Sequence, residues 1–303
     1  MKILLITPIA NYIATEITEE ALKRGHSIIT TSLYKFNVSS FESNAILDLI
    51  LEADIVYIRT GPDDISTNML REFIIKNNKI LINSDVYVDM IFNSKYYQLQ
   101  KVGTAGLCVP KTIASIYGDF IKAQKTNDLK IIERAFFNDL VQELSLPFII
   151  KPVKGARGYN IHKIQYYEDF SVFINKYSNT RYFLFQEFIP NNGDYRVIVV
   201  GGKVVGMFKR IPNEGEFRAN ISRGGSGEIV TDRKLVKKIG DFALKACKVL
   251  EIEIGGVDVM LSEKNGMLYF IEVNRSMQWK GFERTTGINV AAHIVDYFES
   301  LTP

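Results

Sequence analysis

The sequence contains few of the residues that mark several large classes of protein. Its two cysteines, Cys108 and Cys247, lie far apart among apolar residues, which argues against a disulfide scaffold and for a reducing compartment. The three histidines, His26, His162 and His293, stand alone, so no zinc set is evident. No apolar run approaches the roughly 18 residues that cross a bilayer. The formal net charge of +3 is too small to predict a nucleic-acid surface.

The first ten residues resemble a signal peptide only in placing Lys2 before an apolar run. That run is short, Pro8 interrupts it and Asn11 follows, so it is better interpreted as a first strand. We therefore expect a cytoplasmic protein that binds neither membrane nor nucleic acid. Its 303 residues, of which 47% are hydrophobic and 23% charged, can form two or three compact lobes with ordinary cores.

Strands and helices alternate along the first ninety residues, which predicts a small parallel α/β lobe. Four apolar strands are predicted there, at residues 3–6, 27–31, 55–58 and 79–82. No G-x-G-x-x-G follows the first of them, so a dinucleotide site is not favoured. From about residue 182 the composition is rich in strand-forming residues, with a hairpin around Gly201 and Gly202. Helices are predicted on either side of the last hairpin, at 233–250 and 289–301.

The last hairpin pattern carries three oxygen-bearing side chains, Asp258, Glu272 and Asn274. Glu272 and Asn274 are two residues apart and leave the same face of their strand. Asp258 lies opposite Glu272 only if residues 264–266 form a three-residue loop with Gly266 left-handed, or if an equivalent bulge corrects the face. Two carboxylates and an amide oxygen suit a hard cation such as Mg²⁺. Acids that simply face water are the alternative.

Two basic loops carry groups suited to phosphate or carboxylate. Lys151 ends an apolar strand and leads into residues 153–160, where two glycines and basic side chains can offer backbone N–H groups and positive charge to polyphosphate. No G-K-[ST] opens a helix there, so the loop is not a P-loop, and a surface turn is the alternative. The second loop has more donors than a turn requires, and a solvated charged loop is its alternative. Its donors are Arg210, Arg218, Asn220 and Arg223.

Four segments, taken together, resemble the ATP-grasp superfamily and, within it, the RimK-like glutamate ligases. They are PFIIKPVKGARGYNI, FQEFIPNNGDYRVIVVGGKVVGMFKR, GEFRANISRGG and GGVDVM…YFIEVNRS. Their order and approximate spacing match from about Asn93 to the C terminus. The resemblance implies an α/β ATP-grasp fold in three parts: a parallel pre-ATP-grasp domain (1–92), a central lobe with the lysine and the glycine-rich loop (93–180), and a C-terminal lobe with the metal and substrate sites (181–303).

The resemblance also implies that ATP lies between the second and third lobes. The positions that match the nucleotide site are Lys95, Lys151, Gln186, Glu187, Phe188, Ile189, Asp194, Arg218 and Asn220. Those expected around the acceptor carboxylate or the acyl phosphate are Arg210, Arg223 and Ser276, and Arg210 and Lys151 are expected to be catalytic. Asp258, Glu272 and Asn274 match the magnesium ligands. The resemblance implies one or two bound magnesium ions, which manganese can replace.

The implied reaction joins a carboxylate to an amine through an acyl phosphate made from ATP. The donor is glutamate or another amino acid, and the acceptor is a small molecule, a carrier protein or a peptide. A peptide ligase or macrocyclase acting on a ribosomal or carrier-bound peptide is the alternative within the class. A nucleotide-binding module without catalysis is the alternative from another class; it would lack a metal ligand or a phosphate lysine, and all are present. The sequence leaves the oligomeric state, including a homo-oligomer, open.

Two departures from the family pattern bear on the site. Ala156 replaces a hydroxyl residue of the glycine-rich loop, and Asn160 replaces its last glycine. Asparagine tolerates positive φ better than most residues, so the loop can keep its shape with one fewer hydroxyl group. After Asn274, residues 275–279 (RSMQW) replace the S-P-G of many relatives, which affects the substrate assignment more than the nucleotide chemistry.

Overall fold

The computed structural model of the chain describes nine stretches of sequence, within which three β-sheets carry packed helices. These stretches are residues 1–7, 12–32, 45–59, 65–83, 95–115, 129–153, 160–177, 183–219 and 224–302. No helix in these stretches is both long and apolar enough to cross a membrane.

The N-terminal sheet is wholly parallel, as predicted. Its strands are β1 (Lys2–Ile6), β2 (Ser27–Thr31), β3 (Ile55–Ile58) and β4 (Ile80–Ile82), in the order β2-β1-β3-β4. Three helices alternate with them along the chain: α1 (Tyr12–Lys23), α2 (Ala45–Glu52) and α3 (Ile65–Lys76). Every residue of β3 is buried, as expected for a central parallel strand covered on both faces.

The second sheet is antiparallel and has its own aromatic core. After α4 (Lys95–Thr104) come its strands β5 (Thr112–Ser115), β6 (Phe148–Pro152), β7 (His162–Ile164) and β8 (Phe183–Glu187), in the order β5-β8-β6-β7. Helices α5 (Leu129–Leu144) and α6 (Tyr167–Lys176) pack against it. The core is a cluster of buried rings that meet mostly edge to face or tilted: Phe137, Phe148, Phe170, Phe173, Phe183 and Phe185.

The third sheet is antiparallel and carries most of the candidate site residues. Its strands are β9 (Asp194–Val200), β10 (Lys203–Ile211), β11 (Ser226–Ile229), β12 (Ile254–Leu261) and β13 (Leu268–Asn274), in the order β11-β10-β9-β12-β13. One face packs on α7 (Arg233–Val249) and α4. The other face shares a core with the N-terminal lobe and with α8 (Lys280–Thr286) and α9 (Val290–Leu301).

Two elements cross the predicted lobe boundaries. Helix α4 lies within predicted lobe 93–180, yet Leu99 and Val102 pack into the core of the third sheet. Strand β8 begins after residue 180, yet it pairs with β5 and β6 in the second sheet. The division at residues 92 and 180 stays a prediction, and it differs from the grouping of strands into sheets at these two points.

Asn83 ties the N-terminal lobe to the strand that carries Asp258. Its side-chain Oδ1 accepts hydrogen bonds from the backbone N–H groups of Glu253 (3.0 Å) and Ile254 (2.9 Å), and its Nδ2 donates to the Ile254 carbonyl oxygen (3.0 Å). The residue is 1% exposed and left-handed, with φ 54°. The amide therefore acts as a short strand edge at the start of β12.

We predict that Asn83→Ala lowers the free energy of unfolding by about 3 kcal/mol, because three buried hydrogen bonds are lost and alanine tolerates positive φ poorly. Urea unfolding measures the change. Asn77→Ala is the matched control: that exposed amide donates to the Phe73 carbonyl oxygen one turn earlier, so its change should stay within about 0.5 kcal/mol. Equal losses in the two variants would contradict the role of Asn83.

Candidate active site

Asp258 lies opposite Glu272, as predicted, but the hairpin achieves this by the bulge and not by the three-residue loop. Ser262 N–H donates to the Met267 carbonyl oxygen and Gly266 N–H to that of Ser262, so the loop has four residues, 263–266. Gly266 is left-handed as expected, with φ 67°. The prediction of a three-residue loop is therefore wrong.

A four-residue loop alone would place Asp258 opposite Ile271, which would send Glu272 to the other face of the sheet. The pairing instead shifts between Asp258 and Val259, so that Ile271 becomes the extra residue of a β-bulge. Beyond this bulge Asp258 pairs with Glu272, Val257 with Val273 and Gly256 with Asn274. The bulge is thus what brings the two carboxylates together.

Two arginines from neighbouring strands neutralise the carboxylates on this face. Arg196 of β9 is the cross-strand neighbour of Asp258, with Nε 2.5 Å from Oδ1 and Nη2 donating to Oδ2 at 3.0 Å. Arg210 of β10 makes a two-pronged pair with Asp194, at 2.5 and 2.7 Å, and its Nη2 lies 3.0 Å from Asp258 Oδ2. All four side chains are 11% exposed or less. Such short, charge-assisted contacts hold the guanidinium planes in place.

Two lysines reach Glu272 from other parts of the fold. Lys95, the first residue of α4, places Nζ 3.4 Å from Glu272 Oε2. Burial opposes ionisation of Glu272, but the charge of Lys95, a hydrogen bond from Asn274 and the charge of Lys151 outweigh it and lower the pKa to about 2. Glu272 is therefore a carboxylate at neutral pH.

Lys151 is the most buried cation of the site. It is 4% exposed, at the end of β6, and Nζ donates to Gln186 Oε1 at 2.9 Å. Gln186 in turn donates to Thr112 Oγ1, which orients the amide. Burial lowers the pKa of Lys151 to about 8; Glu272 partly offsets this effect, and Lys95 adds to it.

These side chains surround one cleft between the second and third sheets. Of the predicted nucleotide and substrate positions, those that line it are Lys95, Lys151, Gln186, Glu187, Phe188, Ile189, Asp194, Arg210 and Arg218, together with the predicted metal ligands Asp258 and Glu272. Apolar walls come from Ile149, Ile161, Phe217 and Met260. A cleft with apolar walls and several charged groups suits a ligand that has an apolar part and an anionic part, as a nucleotide does.

Four other predicted site residues either lie outside the described residues or do not line the cleft. Asn220 and Arg223 lie outside the described residues, as does most of the glycine-rich loop. Ser276 is half-buried in the turn after β13, and neither it nor Asn274 is among the described residues that line the cleft. Asn274 instead donates to Glu272 Oε1 at 3.0 Å, which leaves its own Oδ1 as an acceptor. Asn160, at the end of the loop, has the expected positive φ, 57°.

Two residues that position the site were not predicted. Arg196 contacts Asp258. The sequence could have indicated this residue, because its two-residue spacing from Asp194 places both side chains on one face of β9. Gln98 lies one helical turn after Lys95. Its amide donates to the Val273 carbonyl oxygen at 3.2 Å and accepts from Val273 N–H at 2.9 Å, so α4 docks on β13 and delivers Lys95 to Glu272. No sequence signal marks this pairing of a helix with a strand edge.

The candidate metal site offers a small set of oxygen donors. Within the described stretches no three or more His, Cys, Asp or Glu side chains form a metal cluster, so the predicted set remains two carboxylates and one amide. Its oxygen chemistry suits magnesium with a shell completed by other oxygens. Asp258 Oδ1 is fully buried and accepts no well-aligned hydrogen bond, because the Arg196 contact is close but poorly angled. A metal bound by this oxygen would have to displace Arg196 Nε, which lies 2.5 Å away.

Comparison with known proteins agrees with the fold and with the motifs. The family model of the RimK-like ATP-grasp domain matches residues 119–298. A protein of Haemophilus influenzae (strain Rd) named "Probable alpha-L-glutamate ligase" is 30% identical over 256 residues, which are 83% of this chain and 77% of that protein.

Two solved structures share the fold at low sequence identity. The RimK domain ATP-grasp protein of Sphaerobacter thermophilus has a TM-score of 0.70 at 16% identity, covering 98% of this chain and 99% of that one. The ATP-grasp ligase PsnB, complexed with a minimal precursor, has a TM-score of 0.70 at 19% identity, covering 99% of both chains. The family match covers more than half of the sequence, and the parallel sheet, the two antiparallel sheets and the cleft between the latter agree with it. The chain therefore belongs to the RimK-like ATP-grasp family, a family of ATP-dependent ligases.

Proposed function

We propose that this chain is an ATP-dependent carboxylate–amine ligase that adds glutamate or another amino acid to a carboxylate acceptor through an acyl phosphate. The observation that carries the proposal is the convergence of Lys95, Lys151, Asp258 and Glu272 on one cleft. Glutamate is the first donor to test, because the Haemophilus influenzae relative is named a glutamate ligase.

In the proposed reaction, an acceptor carboxylate oxygen attacks the γ-phosphorus of ATP, and the bond to the bridging oxygen breaks to release ADP. The amine nitrogen of the donor then attacks the acyl carbon, phosphate leaves and the nitrogen loses a proton, giving an amide. The protein needs no nucleophile of its own for these steps. It has to bind, align and neutralise charge.

The residues of the cleft have distinct roles in this proposal. Lys151 and Lys95 attract the phosphates, while Phe188 and Ile189 give the base an apolar surface beside β8. Arg210 stabilises the charge that develops on the transferred group, and its pairs with Asp194 and Asp258 fix its plane beforehand. Asp258, Glu272 and Asn274 would hold one or two magnesium ions, or manganese in their place, which would polarise the phosphate oxygens.

The two ligase activities that we propose differ in the acceptor, which is either a small carboxylate or a peptide. PsnB has been solved with a precursor peptide and, in a separate complex, with a minimal precursor, magnesium and ADP. A peptide or carrier-bound acceptor is therefore the second candidate for this chain. The test is ATP-dependent phosphate release with glutamate and other amino acids, each against small carboxylates, peptides and carrier proteins. Release that requires both an amine and an acceptor supports a ligase, whereas nucleotide binding without any turnover supports a silent binding module.

Replacing Lys151 by methionine separates its role in binding from its effect on the fold. We predict that Lys151→Met weakens ATP binding at pH 7 at least about tenfold, since a charge at the phosphates is lost. Without ATP, the variant should be at least as stable as the wild-type protein. Burial lowers the pKa of Lys151 from 10.5 to about 8, so the buried ammonium group destabilises the fold by about 3 kcal/mol, and methionine removes this cost. Calorimetric titration and thermal unfolding measure the two effects. Lys248→Met, on the exposed face of α7, should change neither.

The lowered pKa of Lys151 also predicts a pH dependence of binding. Lys151 is charged below about pH 8 and loses its proton above it, so ATP affinity of the wild-type protein should fall as pH rises from about 8 to 9.5. In Lys151→Met this decline should be absent. A wild-type affinity that stays constant over this range would show that Lys151 does not contact the phosphates.

Glu272→Gln keeps the size of the side chain and removes its charge. We predict a loss of ligation of roughly 100-fold or more, on the order of 3 kcal/mol of transition-state stabilisation, because the metal and Lys95 both lose their carboxylate partner. Single-turnover ligation assays measure the loss, and Glu263→Gln in the exposed loop of the same hairpin is the control. Ligation near the wild-type rate in Glu272→Gln would remove this carboxylate from the catalytic site.

A further inference from the structure

Asp258 already contacts two positively charged side chains of this protein. Arg196 lies against both of its oxygens, and Arg210 Nη2 lies 3.0 Å from Oδ2. The side chains of Asp258 and Arg210 are each 6% exposed and that of Arg196 is 11% exposed, so water screens these contacts poorly. Within the described stretches, Asp258 is the one carboxylate that Arg196 pairs with.

The charged groups around Asp258 carry a small positive surplus. Among the described residues, four cations face three carboxylates around Asp258 and its neighbour Glu272, a formal balance of +1; they are Lys95, Lys151, Arg196 and Arg210 against Asp194, Asp258 and Glu272. A divalent cation entering alone would raise this balance to +3 in a buried region. A cation entering with the phosphates of a nucleotide brings more negative charge than positive. The cluster therefore favours the complex over the free ion.

Gly256 provides the space in which Arg196 lies. A Cβ at this position would lie 2.8 Å from Arg196 Nη1 and 3.1 Å from its Cδ. Gly256 is not among the glycines with positive φ, so space and not backbone conformation is what a side chain here would disturb. Arg196 cannot move aside cheaply, because its guanidinium is held by Asp258.

We propose that Arg196 is a positioning residue that keeps Asp258 from binding a free divalent cation, so that the metal enters the site only together with the nucleotide. The inference rests on the proposed function, since it takes Asp258 and Glu272 as the carboxylates of the metal site. The nucleotide phosphates offer alternative partners to the guanidinium groups, and this releases Asp258 for the metal.

Manganese binding to the whole chain tests this role without any measurement of activity. Free Mn²⁺ is followed by electron paramagnetic resonance, with and without ADP. The wild-type protein should bind Mn²⁺ alone with a Kd of about 1 mM or weaker, and much more tightly with ADP. Arg196→Met should bind Mn²⁺ alone at least about tenfold more tightly than wild type, because a competing charge is removed. Lys237→Met loses the same charge from an exposed pair with Asp241 and should match wild type.

Gly256→Ala is the second variant, and it keeps every charge. The added methyl group should displace Arg196 from Asp258 and tighten binding of Mn²⁺ alone, by a smaller factor; thermal unfolding checks that each variant is folded. If Mn²⁺ alone binds wild type as tightly as it binds both variants, or more tightly, the role of Arg196 is wrong while the metal site stands. If no form binds Mn²⁺ even with ADP, the proposed metal site fails, and the inference fails with it.

Discussion

Burial of three carboxylates on one face of a sheet is the constraint on which the site depends. Asp194, Asp258 and Glu272 are largely shielded from water, so each needs a cation within contact distance. The cations come from three places: β9 and β10 in the same sheet, the start of α4, and the end of β6 in the second sheet. Charge compensation thus draws separate elements to one point, and the cleft forms where they meet.

The third sheet contributes to both the hydrophobic core and the site, because one of its faces changes from charged to apolar along β9. In β9, residues 194 and 196 are charged while Ile198 and Val200, on the same face, are buried in the core shared with the N-terminal lobe. The opposite face, with Val197 and Val199, packs on α7 throughout. The second sheet has a separate aromatic core. It therefore contributes Lys151 to the site without sharing the apolar core of the third sheet.

Much of this arrangement could be predicted from local sequence, and the remainder depends on contacts that no local pattern records. Strand alternation placed Glu272 and Asn274 on one face. The left-handed Asn160 was anticipated because it stands at a glycine position of the family loop and asparagine tolerates positive φ. The loop length was wrong because Gly266 is left-handed in a three-residue and in a four-residue loop alike. The bulge at Ile271 leaves no signature in composition. Arg196 shares a face with Asp194 by simple alternation, but its contact with Asp258 follows from the register of β9 with β12.

The lowered pKa values of Lys151 and Glu272 have different causes in this geometry. Both groups are buried, which by itself disfavours the charged form of each. Glu272 has several cations around it, so attraction exceeds the desolvation cost and its pKa falls. For Lys151, the attraction of Glu272 does not offset burial and Lys95 adds a like charge, so desolvation prevails and its pKa also falls. The surrounding cations thus control the pKa of Glu272, whereas burial controls that of Lys151. A polyanion bound here would supply negative charge to the buried Lys151 ammonium, while the existing cations hold Glu272 ionised.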